Sequence, residues 1–389
     1  MRILHVITVF YPAYEYGGPG LGCYEICKKL LNEGHYVEVW TTDALNKTQR
    51  IKKNQDVIDG INVKYFKNFS NFLSWRRIFI PTFLSKYARE HLGSFDVVHL
   101  HETRNFLVSK VSRICVEKKI PYCITGHGGV EIIVSRKLIK KIFDLFIGNK
   151  VLRNAKKCHA STLHEKEQFM NLDIEEEKIS VIPIPPSENK DEINFKDNVY
   201  ERYSINPTAK LIIFLGRLNY KKGLDILLKA FNIVAKKNQE AHLVLAGPDD
   251  GMLTDIIAYV SKHSLEKRVS IIGPVFGKQK YSILNNSYMF TLTSRDEGLP
   301  LTVLEAASLG LPMICTKETR VPEITEYKSG IETSQEPSEI ANAMLFLLGD
   351  QNMRNEYSKN AKIMIKEKFT WDNVIKRFEA MYNECISTR

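Results

Sequence analysis

Apolar positions along the chain fall into short, nearly continuous blocks, separated by longer stretches in which apolar and polar residues alternate at helical spacing. The first block, Arg2–Val9, predicts a buried strand. A glycine-rich loop follows, then a helix from about Leu21 to Glu33 that Gly34 ends. Tyr36–Thr42 reads as the next strand, Asp96–His101 as a short buried one, Phe106–Lys118 as a helix, and Pro121–Thr125 and Lys178–Pro183 as strands. Pro183, Pro185, Pro186 and the polar run from Ser187 to Asp191 have the composition of a linker, placed near 185–205. The rhythm then restarts: strand Lys210–Gly216, helix Gly223–Lys237, strand His242–Ala246, strands Val269–Ile272 and Tyr288–Thr293, helix Leu301–Leu309, strand Pro312–Thr316. Helical patterns run from Pro337 to the end. Strands alternating with helices imply parallel sheets covered on both faces. The fold class is therefore α/β, with two doubly wound domains expected at residues 1–185 and 186–370. Ligands in such sheets bind beyond the carboxyl ends of the strands, so two facing domains suggest a central cleft.

Composition adds exclusions. The chain has 389 residues and 44% hydrophobic content, enough for sizeable cores and unlike a disordered chain or a small disulfide scaffold. The longest apolar runs fall well short of the ~20 residues that span a bilayer. Arg2 before an eight-residue apolar run that stops at Pro12 lacks the length and cleavage site of a signal peptide. The seven cysteines, 23, 27, 115, 123, 158, 315 and 385, form no C-x-x-C pair and no zinc-spaced set, and fit a reducing cytoplasm. Cys23 and Cys27 share a helical face and are expected to pack as small hydrophobes.

Charge is uneven. Residues 1–185 hold 28 Lys and Arg against 19 Asp and Glu, a net +9 of the chain's +10. A basic first half suggests an anionic partner. Arg76 and Arg77 sit among Trp75, Ile78, Phe79 and Ile80. Lys137, Lys140, Lys141, Lys150, Arg153 and Lys156 interleave with Ile139, Ile142, Phe143 and Phe146 in an amphipathic helical pattern. Arg76, Arg77, Lys140 and Lys141 are candidates to face an anionic membrane surface, the alternative being a core-packed helix with a solvated lysine face. No nucleic-acid-binding pattern accompanies the charge, so nucleic acid is not expected as a partner.

The strongest chemical signal lies in the second half. A strand ends in Gly216-Arg217, and Lys222-Gly223 opens the next helix. Two cations at a strand's carboxyl end suit a diphosphate: Arg offers a bidentate fork and Lys a point charge. Downstream, Ser294-Arg295-Asp296-Glu297-Gly298-Leu299-Pro300-Leu301-Thr302 leads from a strand end into a helix. Backbone N–H groups of such a loop and helix start can hold phosphate oxygens. Glu305, one turn inside that helix, can accept hydrogen bonds from ribose hydroxyls, and Glu297 stands where a sugar would follow the phosphates. Taken singly, each has a plain structural reading as a loop cation, a helix cap or a dipole partner.

The combination is more specific. Two carboxylates with seven residues between them, enclosing a Gly-Leu-Pro loop, with G-R-x4-K-G about 75 residues upstream, resemble the retaining glycosyltransferases of family 4, the glycosyl transferases group 1 class with a GT-B fold. The resemblance runs nearly end to end. It takes in Gly17-Gly18, Gly34-His35, Phe95–His101, Gly126-His127-Gly128, Leu245–Pro248, Val321–Ile324 and Phe369-Thr370-Trp371. It implies that Arg217 and Lys222 neutralise the donor diphosphate, that Glu305 binds the ribose, and that Glu297 and His127 meet the donor sugar as catalytic residues. It further implies that Gly298, Leu299, Pro300, Leu301 and Thr302 supply loop and helix-start amides, and that Gly17 and Gly18 let backbone approach the phosphates. A final helix, 371–389, would return to the first domain.

The function so implied is transfer of a sugar from a nucleoside-diphosphate sugar, UDP- or GDP-linked, to a glycan or lipid-linked acceptor in surface polysaccharide or glycolipid assembly. The setting would be cytoplasmic, peripheral on the inner face of the plasma membrane. There is no D-x-D triplet, so no metal and no other cofactor is expected, and Asp249-Asp250 reads as a structural loop. Acceptor choice is expected in Glu102-Thr103-Arg104 and 131–136. Two departures stand out: Pro183-Ile184-Pro185-Pro186 replaces the usual P-N-G, and Leu299 stands where Phe is common. Alternatives are a nucleotide-sugar epimerase of the same fold and a non-catalytic basic binding protein on a degenerate transferase fold. An NAD-dependent oxidoreductase is disfavoured, since Gly18-Pro19-Gly20-Leu21-Gly22 fails G-x-G-x-x-G.

Overall fold

The computed structural model describes residues 1–130, 143–188, 190–195 and 197–387. It divides into two compact units, Met1–Ile184 with Trp371–Arg389, and Pro185–Thr370.

The first unit is built on strands β1 (Arg2–Val6), β2 (Tyr36–Thr42), β3 (Gln55–Ile58), β4 (Ile61–Phe66), β5 (Val97–His101), β6 (Tyr122–Thr125), β7 (Lys157–Ala160) and β8 (Ile179–Val181). They lie in the order β3-β4-β2-β1-β5-β6-β7-β8. All pairings are parallel except β3 with β4, an antiparallel edge hairpin turned at Asp59-Gly60. The parallel-sheet expectation is corrected there. The inner strands are buried on both faces, as their unbroken apolar blocks require: every residue of β5 and β6 is buried. The helix Gly18–Asn32 starts three residues earlier than its periodicity suggests, because Gly18, Pro19 and Gly20 form its first turn. The closing helix, Trp371–Ser387, buries Trp371, Val374, Phe378, Met381 and Tyr382 and packs on β5, β6 and the helix Gly18–Asn32.

The second unit has six parallel strands, β9 (Lys210–Leu215), β10 (Ala241–Ala246), β11 (Val269–Gly273), β12 (Met289–Leu292), β13 (Met313–Thr316) and β14 (Gly330–Thr333). Their order is β11-β10-β9-β12-β13-β14. One core runs through the unit, with Phe214, Phe231, Tyr281 and Phe290 wholly buried. The stretch read as a linker is part of this body: short helices Lys190–Ile193 and Val199–Arg202 form, and Val199 and Ile205 enter the core. Its polar composition belongs to the outer face of those turns.

In each sheet the order reverses once about a central strand, β1 against β5 and β9 against β12. Loops leaving these strands at the carboxyl edge diverge and leave room for a ligand.

Candidate active site

In the second unit, β9 ends at Leu215 and the chain passes through Gly216 and Arg217 to a helical turn, Tyr220–Lys222. Gly223 then adopts φ +65°, and a Cβ there would stand 1.9 Å from the Thr293 carbonyl oxygen. Only glycine permits both the left-handed backbone and that approach. The contact presses Lys222 onto the end of β12. Lys222 Nζ lies 2.6 Å from Glu297 Oε1, which also accepts from Ser294 Oγ at 2.5 Å. Both members of the pair are largely buried. Arg217 Nη1 is 2.5 Å from Asp250 Oδ2, which Asn219 Nδ2 also reaches at 2.9 Å. Asp249 does serve the loop, capping Gly251 and Leu253, but Asp250 belongs with the site cation.

The loop carrying Glu297 is fixed from below. Asp296, buried, is held by Lys221 at 2.7 Å and Arg320 at 2.6 Å, and Arg320 also donates to the Glu297 carbonyl at 2.9 Å. Arg295 makes a two-point pair with Asp225 and stacks on Tyr220. Its guanidinium is raised further by that carboxylate, and Asp225 is lowered by Arg295 against the opposing effect of burial. Leu299 packs against the core despite the departure from Phe. The helix Leu301–Ser308 opens at Pro300 with no side-chain cap. Among the described residues, the N–H groups of Gly298, Leu299, Leu301 and Thr302 make no hydrogen bond, so this edge presents a set of unused donors. Glu305 projects from the helix's second turn, almost wholly buried, with Oε1 2.7 Å from Lys280 Nζ. Lys280 was not among the expected residues; nothing in the pattern of its own helix, Gly277–Asn285, marks it.

In the first unit, Gly17 has φ +100° and leads directly into the helix Gly18–Asn32. Arg77 donates to the Tyr16 carbonyl at 2.5 Å and lies over its ring at 4.9 Å, so it braces the glycine turn rather than standing free. Beyond β6, the Gly126-His127-Gly128 turn has φ +50° at His127, a strained value for a side-chain-bearing residue. Glu165 holds it: its carboxylate accepts from the Gly128 and Ser161 amides at 2.7 Å each. A Cβ on Gly126 would meet that carboxylate at 2.6 Å. Burial raises the Glu165 pKa against those two amides. His127 Nε2 is 2.9 Å from His101 Nδ1, and burial draws the His127 pKa down to about 3. Glu102, also at positive φ, has its pKa raised by burial while Thr8 donates to it at 2.5 Å.

Arg76 is exposed and stacks on Phe72 at 4.2 Å. Lys140, Lys141 and the segment 131–136 lie outside the described residues. Around Arg76 the surface is unusual. Phe69, Phe72 and Phe83 are 73%, 62% and 88% exposed, and from Ile61 to Arg89 there are six cations and no carboxylate. Among the described residues, no helix is long and apolar enough to cross a membrane.

With this geometry in view, comparison with known proteins decides the family. A model of "Glycosyltransferase Family 4" matches residues 16–185, and one of "Glycosyl transferases group 1" matches 195–364. The chain belongs to the family 4, group 1 glycosyltransferases. This glycosyltransferase is 25% identical over 391 residues to the uncharacterized glycosyltransferase MJ1607 of Methanocaldococcus jannaschii, covering 97% of each chain. It is 23% identical over 400 residues to the gpi3 subunit of the phosphatidylinositol N-acetylglucosaminyltransferase of Schizosaccharomyces pombe, covering 98% of this chain and 80% of that one. The crystal structure of Anabaena HepE in complex with UDP and glucose superposes with a TM-score of 0.78 at 16% identity, covering 98% and 99% of the two chains. That likeness establishes the GT-B fold.

Proposed function

We propose that this glycosyltransferase takes a hexose from a nucleoside-diphosphate sugar and passes it, with retention of anomeric configuration and without a divalent metal, to a glycan or lipid-linked acceptor at the cytoplasmic face of a membrane. The observation that carries the reading is the carboxyl edge of the second sheet, where Arg217 and Lys222 stand with the unused amides of Gly298, Leu299, Leu301 and Thr302; Pro300, having no N–H, contributes none.

Each cation is paired with a neighbouring carboxylate, Arg217 with Asp250 and Lys222 with Glu297. A bound diphosphate would take over both cations and accept from the free amides, leaving Glu297 to meet sugar hydroxyls. Glu305, gripped through Oε1 by Lys280, would offer Oε2 to the ribose. As the bond from anomeric carbon to phosphate breaks, negative charge grows on the departing diphosphate, and donors already pointing there stabilise it without reorganising. Two fixed cations supply the charge that a metal would otherwise bring. Retention follows from a front-face route, in which the leaving phosphate accepts the acceptor's proton. His127 would hydrogen-bond the sugar.

A lipid-linked acceptor is supported by the gpi3 relative, whose name states phosphatidylinositol as its acceptor, and by the cationic, aromatic lobe around Phe69, Phe72 and Phe83. Such a lobe suits an anionic bilayer surface. UDP is the base to try first, since the HepE structure holds it.

The test is transfer in the presence of EDTA, with UDP-, GDP- and ADP-sugars offered alongside lipid extracts, followed by NMR of the product's anomeric signal. Release of one nucleoside diphosphate with a retained product supports the reading. An inverted product, or activity only with added metal, overturns those parts of it. Interconversion of the sugar without transfer would favour the epimerase. For the lobe, sedimentation with phosphatidylglycerol vesicles should fall at least tenfold in the Phe69→Ser/Phe72→Ser/Phe83→Ser variant; equal binding removes the membrane surface from the proposal.

A further inference from the structure

Five histidines lie in or beside the first sheet: His5 on β1, His99 and His101 on β5, His127 after β6, and His159 on β7. They form two hydrogen-bonded series. His99 Nε2 meets Thr125 Oγ1 at 2.6 Å, Thr125 meets His159 Nδ1 at 2.7 Å, and His159 Nε2 donates to the Ile182 carbonyl at 2.6 Å. The second series runs to the site: His5 Nδ1 to His101 Nε2 at 2.9 Å, then His101 Nδ1 to His127 Nε2 at 2.9 Å. Cys23 Sγ flanks its inner end, 3.5 Å from His101 Nε2 and 3.8 Å from His5 Nδ1.

This series has two possible directions. A neutral imidazole carries one N–H, so each nitrogen–nitrogen link holds one proton and the links must run head to tail. The inner end decides between them. His5 is wholly buried, and among the described residues its Nε2 has no partner. If the series pointed inward, or if His5 were doubly protonated, Nε2 would carry a buried N–H with no acceptor. An orphan N–H is the rarer and costlier defect. Pointing outward, Nε2 keeps only an unused lone pair. Burial also lowers the pKa of His101 and His127, to about 3 for His127, so both rings stay neutral near pH 7.

A metal is the competing use of two groups, His5 with Cys23 and Cys27, and His5 with His99 and His101, the ligand atoms of each lying within 4.8 Å of one another. Two nitrogens on one tetrahedral zinc stand about 3.3 Å apart at ordinary bond lengths. The 2.9 Å separation of His5 and His101 is that of a hydrogen bond, so these two nitrogens do not share a metal; for His5 with Cys23 and Cys27 the metal content decides.

We infer that the series His5–His101–His127 is a directional hydrogen-bond line, each ring donating through Nδ1–H to the next, which fixes His127 with its proton on Nδ1 and so as a donor to a substrate oxygen. His5 and His101 are then positioning residues. At the outer end, His127 Nδ1 makes no hydrogen bond among the described residues, and it is the nitrogen that would face substrate.

What His127 faces rests on the proposed site, but the tautomers do not. They can be read by long-range proton–nitrogen NMR on the full-length, 15N-histidine-labelled protein with no substrate present. His5, His101 and His127 should all show Nδ1–H, against the Nε2–H form that a free histidine side chain favours in water. His5→Leu should return His101 and His127 towards Nε2–H and lower transfer about tenfold, or about 1.4 kcal/mol. His5→Asn, whose amide replaces the Nδ1–H donor, should restore both. Nε2–H on His127 in the wild-type protein overturns the inference. So does an unchanged pattern in folded His5→Leu, or one equivalent of zinc by elemental analysis. If His5→Leu does not fold, the wild-type tautomers alone decide. Failure of nucleotide binding would instead overturn the donor site and leave the tautomer result standing.

Discussion

The two sheets meet the same topological problem with opposite electrostatics. At the carboxyl edge of the second, the candidate groups are charged and paired: Lys222 with Glu297, Arg217 with Asp250, Lys280 with Glu305. At the edge of the first they are imidazoles kept neutral by burial and joined in line, with a strained turn at His127 held by Glu165. A diphosphate needs fixed positive charge, and charge tolerates some misplacement because Coulomb forces fall slowly with distance. A sugar hydroxyl needs a hydrogen bond of defined direction, which a neutral ring of fixed tautomer supplies. On the proposed reading, one fold hosts both demands by changing what stands at the strand ends.

The largest effect that would break this contrast is on transfer itself. Glu297→Gln and Lys222→Ala should each slow it by 10²–10³, about 3–4 kcal/mol, as for other groups that face developing charge. His127→Asn should cost about tenfold less. Equal losses in steady-state kinetics would remove the distinction between charged and neutral edges.

Next comes the backbone that presses each edge into place. Gly223→Ala meets the Thr293 carbonyl at 1.9 Å and keeps φ +65°, so it should cost about 1–3 kcal/mol or more and weaken nucleotide binding with it. Gly126→Ala has only side chains of Val130 and Glu165 to displace, and should cost less. Calorimetric melting of the two variants checks the order.

Acid should separate the units. A histidine whose folded pKa is depressed makes the unfolded chain bind more protons between the folded value and ~6.5, so stability is fully present above ~6.5 and falls as pH drops. The slope is up to about 1.4 kcal/mol per pH unit for each such ring. The first unit carries four, His99, His101, His127 near 3 and His159 near 4; the second carries His242, near 4. Glu102 and Glu165, raised by burial, pull the other way and offset only part. All three tryptophans belong to the first unit, so their fluorescence should change at a higher pH than the far-UV signal. Coincident transitions would contradict the asymmetry.

The smallest expected effect is Lys280→Met. It strips Glu305 of its partner and should raise the donor KM several-fold with kcat little changed. A collapse of kcat would place Lys280 in the chemistry itself.

How far each edge was legible in the sequence follows the same contrast. The charged cluster was readable because Gly216–Gly223 and Ser294–Glu305 are compact motifs whose residues the fold brings side by side, as Lys222 with Glu297. Lys280, Asp250 and Arg320 join that site only through the packing of other loops. The imidazole line was illegible: residues 5, 101 and 127 become neighbours only when β1, β5 and β6 lie side by side. Most strands were readable from their apolar blocks. The β3–β4 hairpin was not, because its residues alternate in burial at a sheet edge; Asp59-Gly60 is the turn signal that marks it. The short helices near 190–202 hide behind polar faces.

The account stands most directly on nucleotide binding by the second unit's edge. Titration calorimetry with UDP, GDP and ADP, chelator present, on the wild-type protein and Lys222→Ala is the measurement to make. One nucleotide should bind without metal, and Lys222→Ala should weaken it tenfold or more, about 1.4 kcal/mol. If no nucleotide binds, or Lys222→Ala binds as well as wild type, the donor site is misplaced and a non-catalytic binding protein becomes the better reading.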